Sequence, residues 1–287
     1  MSLTDAGHEL AEAAKAGDCS KVLELLAGGA DPRGEDSMAL RSAAFAGQAE
    51  CVKLLLPVSD PQALESAALR VAACNGHERC VRLLLPVSDP KAYDSEALRL
   101  AASHGHGPCA NLLLPLSKPK TLNSQALRWA ANNGHAECVR LLLPVSDAKA
   151  NDSEALRWAA RNGHAECVRL LLPVSEPKAR ESSALRMAAE RGHAKCVRLM
   201  IAVSGELCEI DGLREAVIES GRAKVAALFI AEDPKIFNGV DLSKCLAAAR
   251  ENGHADMAGL LSSIIDQREL WDVAPEAARR GLGAARL

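Results

Sequence analysis

The chain has 287 residues, a net charge of −3 at pH 7 and only 2% aromatic side chains. These values do not favour binding to nucleic acid or to an anionic membrane, because both attract strongly basic surfaces. No apolar run approaches the roughly 20 residues that span a bilayer, and residues 1–17 lack the basic start and apolar core of a signal peptide. We therefore expect a soluble, intracellular protein.

A unit of 29 residues recurs along most of the chain. Each copy begins at a serine and carries a glycine ten residues later. The serines are Ser37, Ser66, Ser95, Ser124, Ser153 and Ser182. A fixed period in this range is typical of stacked repeat proteins.

The fifth copy predicts a pair of short helices. Ser153 is predicted to cap the first helix by accepting a hydrogen bond from an amide of its first turn. Gly163 is predicted to end that helix, because glycine adopts the left-handed conformation without strain. The second helix is predicted over residues 165–172, where Pro173 stops it. Helices this short are marginal alone in water, so we expect an all-α solenoid in which each pair buries its apolar face against the next.

The copies divide the chain into four predicted parts. Residues 1–36 are expected to cap the N-terminal end, and residues 37–210 to form six full repeats. Residues 211–262 are expected to form degenerate C-terminal repeats, in which Arg222 replaces the repeat histidine. Residues 263–287 are expected to form a C-terminal helix or tail. Terminal copies should differ from the rest because their outer faces meet water.

Residues 155–172 read A-L-R-W-A-A-R-N-G-H-A-E-C-V-R-L-L-L and resemble the ankyrin repeat, T-P-L-H-x-A-A-x-x-G-H-x-E-x-V-x-x-L-L. The resemblance extends over roughly residues 5–262. Family repeats run to about 33 residues, and the missing ones follow the second helix, where many members carry finger hairpins. The resemblance implies an ankyrin-type, all-α solenoid with shortened finger loops. It also implies a protein-binding scaffold with no catalytic activity and no cofactor.

One arginine occupies the same place on the first helix of every full repeat. This arginine ladder comprises Arg41, Arg70, Arg99, Arg128, Arg157 and Arg186. In ankyrin proteins the first helix lines the concave side, so the ladder can present a basic stripe to an acidic partner. Alternatively, the ladder is structural and its charges are neutralised within the protein. Glu154 lies three residues before Arg157, which makes them neighbours on one helix face.

Two further kinds of position are candidates for partner contact. Trp129 and Trp158 each follow a ladder arginine; tryptophan is enriched at binding hot spots, although the family usually has a core leucine here. Other candidates lie at positions where the residue varies between otherwise matching copies. This variation indicates either contact with a partner or drift at exposed sites. The candidate partner-binding residues are Arg99, Arg128, Arg157, Trp129, Trp158, Asn132, Asn133, Arg161, Asn162, Tyr93 and His104.

Six of the ten cysteines share one repeat position, as Cys138 and Cys167 do. Neighbouring helices pack ~8–10 Å apart, beyond the Cα separation of about 7 Å that a disulfide allows. We therefore expect reduced, buried, apolar cysteines. The repeated His-x-x-Cys spacing, as in His164 and Cys167, supplies two of the three or four ligands that a zinc site needs. We expect no bound metal.

The sequence contains no phosphate-binding loop, nucleophile elbow or H-E-x-x-H motif. We expect a monomeric, cytoplasmic, non-catalytic scaffold that binds another protein through its concave helix face and loop tips. The near identity of the fourth and fifth copies indicates recent duplication. A bacterial effector delivered into a host cell and an immunity protein that binds a toxin both fit. The alternative is an array that acts as a spacer or targeting module, with recognition in the segment after Leu261.

Overall fold

The computed structural model describes residues 3–204, 213–232 and 240–273. Within these ranges the chain forms eighteen α-helices and no β-strand. The helices, in chain order, are α1 (Leu3–Ala16), α2 (Cys19–Ala27), α3 (Gly34–Ala46), α4 (Ala49–Leu55), α5 (Ala63–Cys74), α6 (Glu78–Leu84), α7 (Ala92–Ser103), α8 (Gly107–Leu113), α9 (Thr121–Asn132), α10 (Ala136–Leu142), α11 (Ala150–Arg161), α12 (Ala165–Leu171), α13 (Ala179–Arg191), α14 (Ala194–Ser204), α15 (Leu213–Glu219), α16 (Ala223–Glu232), α17 (Leu242–Glu251) and α18 (Ala255–Val273). The predicted all-α architecture is confirmed.

The helices belong to two compact units. One consists of Met1–Ala159 with Glu166–Glu176, and the other of Ala160–Ala165 with Pro177–Leu287. In the first unit the odd-numbered helices from α1 to α9 pack in a row, and the even-numbered helices from α2 to α10 pack in a second row. In the second unit α13, α15 and α17 pack in one row and α14, α16 and α18 in another. Each unit is therefore a stack of helix pairs.

The core of each repeat is built from small residues on the first helix and larger ones on both helices. In the fourth repeat Leu127, Ala130 and Ala131 of α9 are fully buried, as are Cys138 and Val139 of α10. Alanine side chains let neighbouring helices approach closely, and leucine and valine fill the space between them. This pattern recurs in every full repeat, which explains the constancy of these positions.

The start of each repeat differs from the expectation. Asn151, Asp152 and Ser153 have φ values of 53°, 58° and 57°, so the backbone makes a left-handed turn before the right-handed helix begins. The same left-handed turn occurs at residues 35–37, 64–66, 93–95 and 122–124. For residues other than glycine this conformation costs roughly 1–2 kcal/mol each. The turn therefore needs compensating contacts from the rest of the fold.

The predicted role of Ser153 as a helix cap is wrong. Its side chain is fully buried, and its Oγ accepts a hydrogen bond from the backbone amide of Glu176 at 2.8 Å. The serines that begin the four preceding repeats accept the equivalent amide at the same distance. Each serine thus joins the left-handed turn at the start of its repeat to the loop that ends it.

The loops between repeats are short. The second helix of the fifth repeat ends at Leu171, and a 3₁₀ turn over Leu172–Val174 contains Pro173. Similar 3₁₀ turns occur at Leu114–Leu116 and Leu143–Val145. Within the described ranges no hairpin follows any second helix, which agrees with the shortened finger loops.

The degenerate C-terminal copies also contain helix pairs. Residues 211–262 include α15 paired with α16, and α17 paired with the first part of α18. Residues 205–212, which contain the expected boundary between full and degenerate repeats, lie outside the described part of the chain. Helix α18 extends to Val273, and residues 274–287 of the expected tail also lie outside it.

Candidate protein-interaction surface

The arginine ladder holds the left-handed turns in place. The Nε of Arg128 donates to the carbonyl of Asn123 at 3.0 Å, and its Nη2 donates to the carbonyl of Leu122 at 2.9 Å. Its Nη1 pairs with the carboxylate of Glu154 in the next repeat. Arg128 is almost fully buried. Its guanidinium is therefore directed at its own turn and at the following copy.

Four other ladder residues bond to the equivalent carbonyl of their own turns. The Nη2 atom of each donates to the carbonyl oxygen of the first residue of the turn, at 2.8–3.0 Å. The four residues are Arg41, Arg70, Arg99 and Arg157. The partner in the next repeat varies. It is Glu96 for Arg70 and Gln125 for Arg99. These contacts favour the structural alternative for the ladder, in which it ties neighbouring repeats together.

Glu154 forms its ion pair with an arginine of the preceding repeat. The expectation placed Glu154 beside Arg157 on one helix, whereas its closest cation is Arg128 of the preceding repeat. Burial acts to raise the pKa of Glu154, but hydrogen bonds from Asn151 and Arg128 outweigh it and hold the pKa below its ordinary value. The carboxylate is therefore ionised at neutral pH and helps to join the two copies.

Aromatic side chains pack against the ladder from the next repeat. The Cζ of Arg99 lies 5.8 Å from the ring centre of Trp129, and that of Arg128 lies 5.9 Å from the ring centre of Trp158. Both indoles are half-buried. Cation–π contacts of this kind contribute ~0.5–1 kcal/mol when partly exposed. The tryptophans thus support the ladder and keep part of their surface at the solvent.

The predicted variable positions lie at the C-terminal ends of the first helices. His104, Asn133, Arg161 and Asn162 are exposed, and Asn132 is half-buried. Some of these side chains already contact neighbouring backbone. His104 Nδ1 lies 2.9 Å from the carbonyl of Leu100, and Asn133 Nδ2 donates to the carbonyl of Ser103 at 2.7 Å.

An exposed apolar row lies at the opposite end of the first helices. It consists of Leu64, Tyr93 and Leu122, which are 48%, 51% and 48% exposed. Each is the first residue of a left-handed turn, and its carbonyl accepts the ladder hydrogen bond. The same position holds Glu35 before the row and Asn151 after it. Sequence analysis singled out Tyr93 alone; comparing this position across all copies would have found the row.

A second set of exposed apolar residues follows the prolines of the same loops. Val58, Val87 and Leu116 are 39%, 41% and 47% exposed. They come from three successive repeats, as the members of the apolar row do, but make no part of a left-handed turn. They therefore provide a matched comparison for the apolar row, and we call them the comparison row.

The repeat histidines are structural. His77 Nε2 lies 2.9 Å from the carbonyl of Phe45 in the preceding repeat, and its ring covers Gly47, where an added Cβ would come within 2.6 Å. In the degenerate copy the Nε of Arg222 donates to the carbonyl of Glu190 at 3.3 Å, so it takes the place of the histidine. Among the described residues no group of three or more metal-ligating side chains is gathered at one point.

Paired helices on a constant period, with no strand in the described ranges, define an all-α repeat protein. A family model described as "Ankyrin repeats (3 copies)" matches residues 10–94, 59–126 and 98–181. Together these matches cover more than half of the chain, and the protein belongs to the ankyrin repeat family. Ankyrin repeats generally mediate protein–protein interactions. No curated protein matches the chain, and no described helix combines the length and apolar character needed to cross a membrane.

Proposed function

We propose that this protein is a non-catalytic binding module whose protein partner lies across the first helices and is anchored on the apolar row. The observation that carries this proposal is the exposure of Leu64, Tyr93 and Leu122, one apolar side chain from each of three successive repeats. Exposed apolar side chains that form a set with polar neighbours are typical of interaction sites. Glu35 and Asn151 supply polar limits at either end of the row.

The backbone beneath the row supports the same proposal. Each of its residues has a φ of 47–50°, a conformation that bulky side chains rarely adopt. Strained backbone persists where the surrounding structure holds it, and it is concentrated at functional sites. Here the ladder arginines hold the strained turns. A surface formed in advance also loses little conformational entropy when a partner binds.

The remaining candidates have two roles in this proposal. Within the first unit, the exposed polar residues His104 and Asn133 form the far border of the contact surface. The exposed residues Arg161 and Asn162 belong to the second unit and are proposed as further partner contacts. The buried Arg128 and Arg157 and the half-buried Arg99 keep that surface in shape. The half-buried Trp129 and Trp158 support two of these arginines and add a partly exposed apolar area between the two borders. The partner therefore needs a complementary apolar edge and polar groups beyond it.

We propose a monomeric, cytoplasmic module. A bacterial effector bound to a host protein and an immunity protein bound to a toxin are the two settings that fit this proposal. Identifying the captured partner distinguishes the two settings.

The proposal is tested by affinity capture with quantitative mass spectrometry, followed by measurement of Kd for the leading partner. The test variant replaces Leu64, Tyr93 and Leu122 by serine, and the control variant replaces the three residues of the comparison row by serine. We expect the test variant to weaken binding at least tenfold and the control to bind like the wild type. Equal binding by all three proteins would contradict the proposal. A variant that lacks residues 264–287 tests the alternative, since loss of capture there would place recognition in the C-terminal segment.

A further inference from the structure

Two cysteines at the N-terminal end of the stack lie close enough to react with each other. The Sγ atoms of Cys19 and Cys51 are 3.3 Å apart. A disulfide bond is about 2.05 Å long, so the two sulfurs need to approach by little more than 1 Å. Cys19 is the first residue of α2, and Cys51 lies on α4, which packs against α2 in the same unit.

This sulfur pair is a property of the N-terminal capping repeat. Cys51 occupies the repeated cysteine position, but Cys19 comes from a different position, two residues after the repeat glycine. The equivalent residues in the six full repeats are Ala49, Glu78, Gly107, Ala136, Ala165 and Ala194. The expectation that successive repeat cysteines cannot be bridged does not apply here, because only one member of the pair holds the repeated position.

The two thiols differ in access to solvent. Cys51 is fully buried, and burial together with the hydrogen bond to Cys19 raises its pKa to about 12. Burial likewise raises the pKa of Cys80, Cys109 and Cys138 to about 11. Thiols of this kind react slowly with an oxidant from solution, because the thiolate is the reactive form, so Cys51 is expected to react only with the Cys19 sulfur that lies 3.3 Å from it. Cys19 is only half-buried, so it is the thiol of this pair that an oxidant can reach.

We propose that Cys19 and Cys51 are a site of reversible oxidation, at which a hydroperoxide produces an intramolecular disulfide. The Cys19 thiolate attacks a peroxide oxygen, the O–O bond breaks, and Cys19 becomes a sulfenic acid while one water molecule leaves. The Cys51 sulfur then attacks the Cys19 sulfur, loses its proton and displaces a second water molecule. Two thiols lose two electrons in total, and hydrogen peroxide is reduced to two water molecules.

The bond would fasten the capping repeat to the first full repeat. It links α2 to α4 and closes a loop of roughly 30 residues, which restricts the unfolded chain. Terminal repeats are covered on one side only, so they are the first to fray. Oxidation is therefore expected to raise the midpoint of thermal unfolding, and dithiothreitol to reverse the rise.

The test uses the full chain with hydrogen peroxide as the oxidant. Free thiols are alkylated after oxidation, and the protein is digested with trypsin without reduction. Cleavage after Lys15, Lys21, Arg41 and Lys53 gives peptides 16–21 and 42–53, each with a single cysteine. We expect these two peptides to be joined, with a mass two hydrogens below their sum. We also expect the thermal midpoint to rise by several degrees.

Two variants make the result specific. Cys19→Ala changes a half-buried residue and is expected to fold, to lose the joined peptide and to lose the oxidation-dependent rise. Cys80→Ala changes a buried cysteine outside the pair and is expected to keep both. Failure to recover the joined peptide from the oxidised wild type would overturn the proposal, as would an equal rise in the Cys19→Ala variant. A joined peptide without a rise in the midpoint would overturn its stabilising role.

Discussion

The ion pair between Arg128 and Glu154 allows the strength of the ladder to be measured directly. Their side chains are only 11% and 16% exposed. Arg128→Met keeps much of the apolar stem but removes two hydrogen bonds to the left-handed turn and the charge partner of Glu154. Removing one member of a buried ion pair typically costs ~3–5 kcal/mol. Because Asn151 still donates to Glu154 at 3.0 Å, we expect a loss near the lower end, about 3 kcal/mol.

The chain contains its own control for this experiment. Arg41 makes the same two bonds to its turn, at 3.1 Å and 2.8 Å, but the residue 26 positions later is Ala67, where Arg128 has Glu154. Arg41→Met should therefore cost only what the turn bonds contribute, ~1–2 kcal/mol. Urea unfolding followed by far-UV circular dichroism measures both values. If the two substitutions cost the same, the pairing between repeats adds nothing and the reasoning is wrong.

Three further predictions concern the turn, the glycine and the histidine of the repeat. Ser153→Ala should lower the free energy of unfolding by ~1–3 kcal/mol, because it leaves a loop amide without its buried acceptor; urea unfolding measures the loss. Gly105→Ala should destabilise the protein by at least ~1 kcal/mol, since Gly105 has a φ of 80° and an added Cβ would lie 2.5 Å from the ring of His135. Gly7→Ala, within α1 with nothing near the added carbon, should instead stabilise it by up to ~1 kcal/mol; thermal unfolding of both variants checks the opposite signs. Burial, aided by neighbouring histidines, lowers the pKa of His106, so the unfolded chain binds a proton more readily. The contribution of His106 to stability should be complete above a pH of about 6.5 and decline as the pH falls below it; His106→Gln should reduce this decline in unfolding curves recorded across that range.

Much of the fold could be predicted because each repeat contains residues that favour the start, the burial or the end of a helix locally. The serine-to-glycine interval, the paired alanines and the proline after the second helix predicted where helices begin and end to within a few residues. In the fifth repeat, α11 ends at Arg161, and Gly163 has the expected positive φ of 79°. The burial of alanine, leucine, cysteine and valine followed from the same pattern.

The candidate site was less predictable, because its geometry depends on contacts between copies. Glu154 is three residues from Arg157 in sequence, yet it pairs with Arg128, which is 26 residues away. Tyr93 was singled out as a variable residue, but its membership in an exposed row with Leu64 and Leu122 depends on a backbone conformation that none of the three side chains favours.

The amino-acid sequence alone determined the repeat, its helical character and its family, because the pattern of buried residues is local and recurs in every copy. Only the tertiary structure decided where the polar groups of each repeat are directed. The sequence predicted that Ser153 would bond to an amide of its own helix, but its side chain bonds instead to the amide of Glu176, 23 residues later. This hydrogen bond can form only after stacking has brought the loop against the turn and excluded water from the serine. The arginine ladder, the left-handed turns and the apolar row all depend on the same stacking.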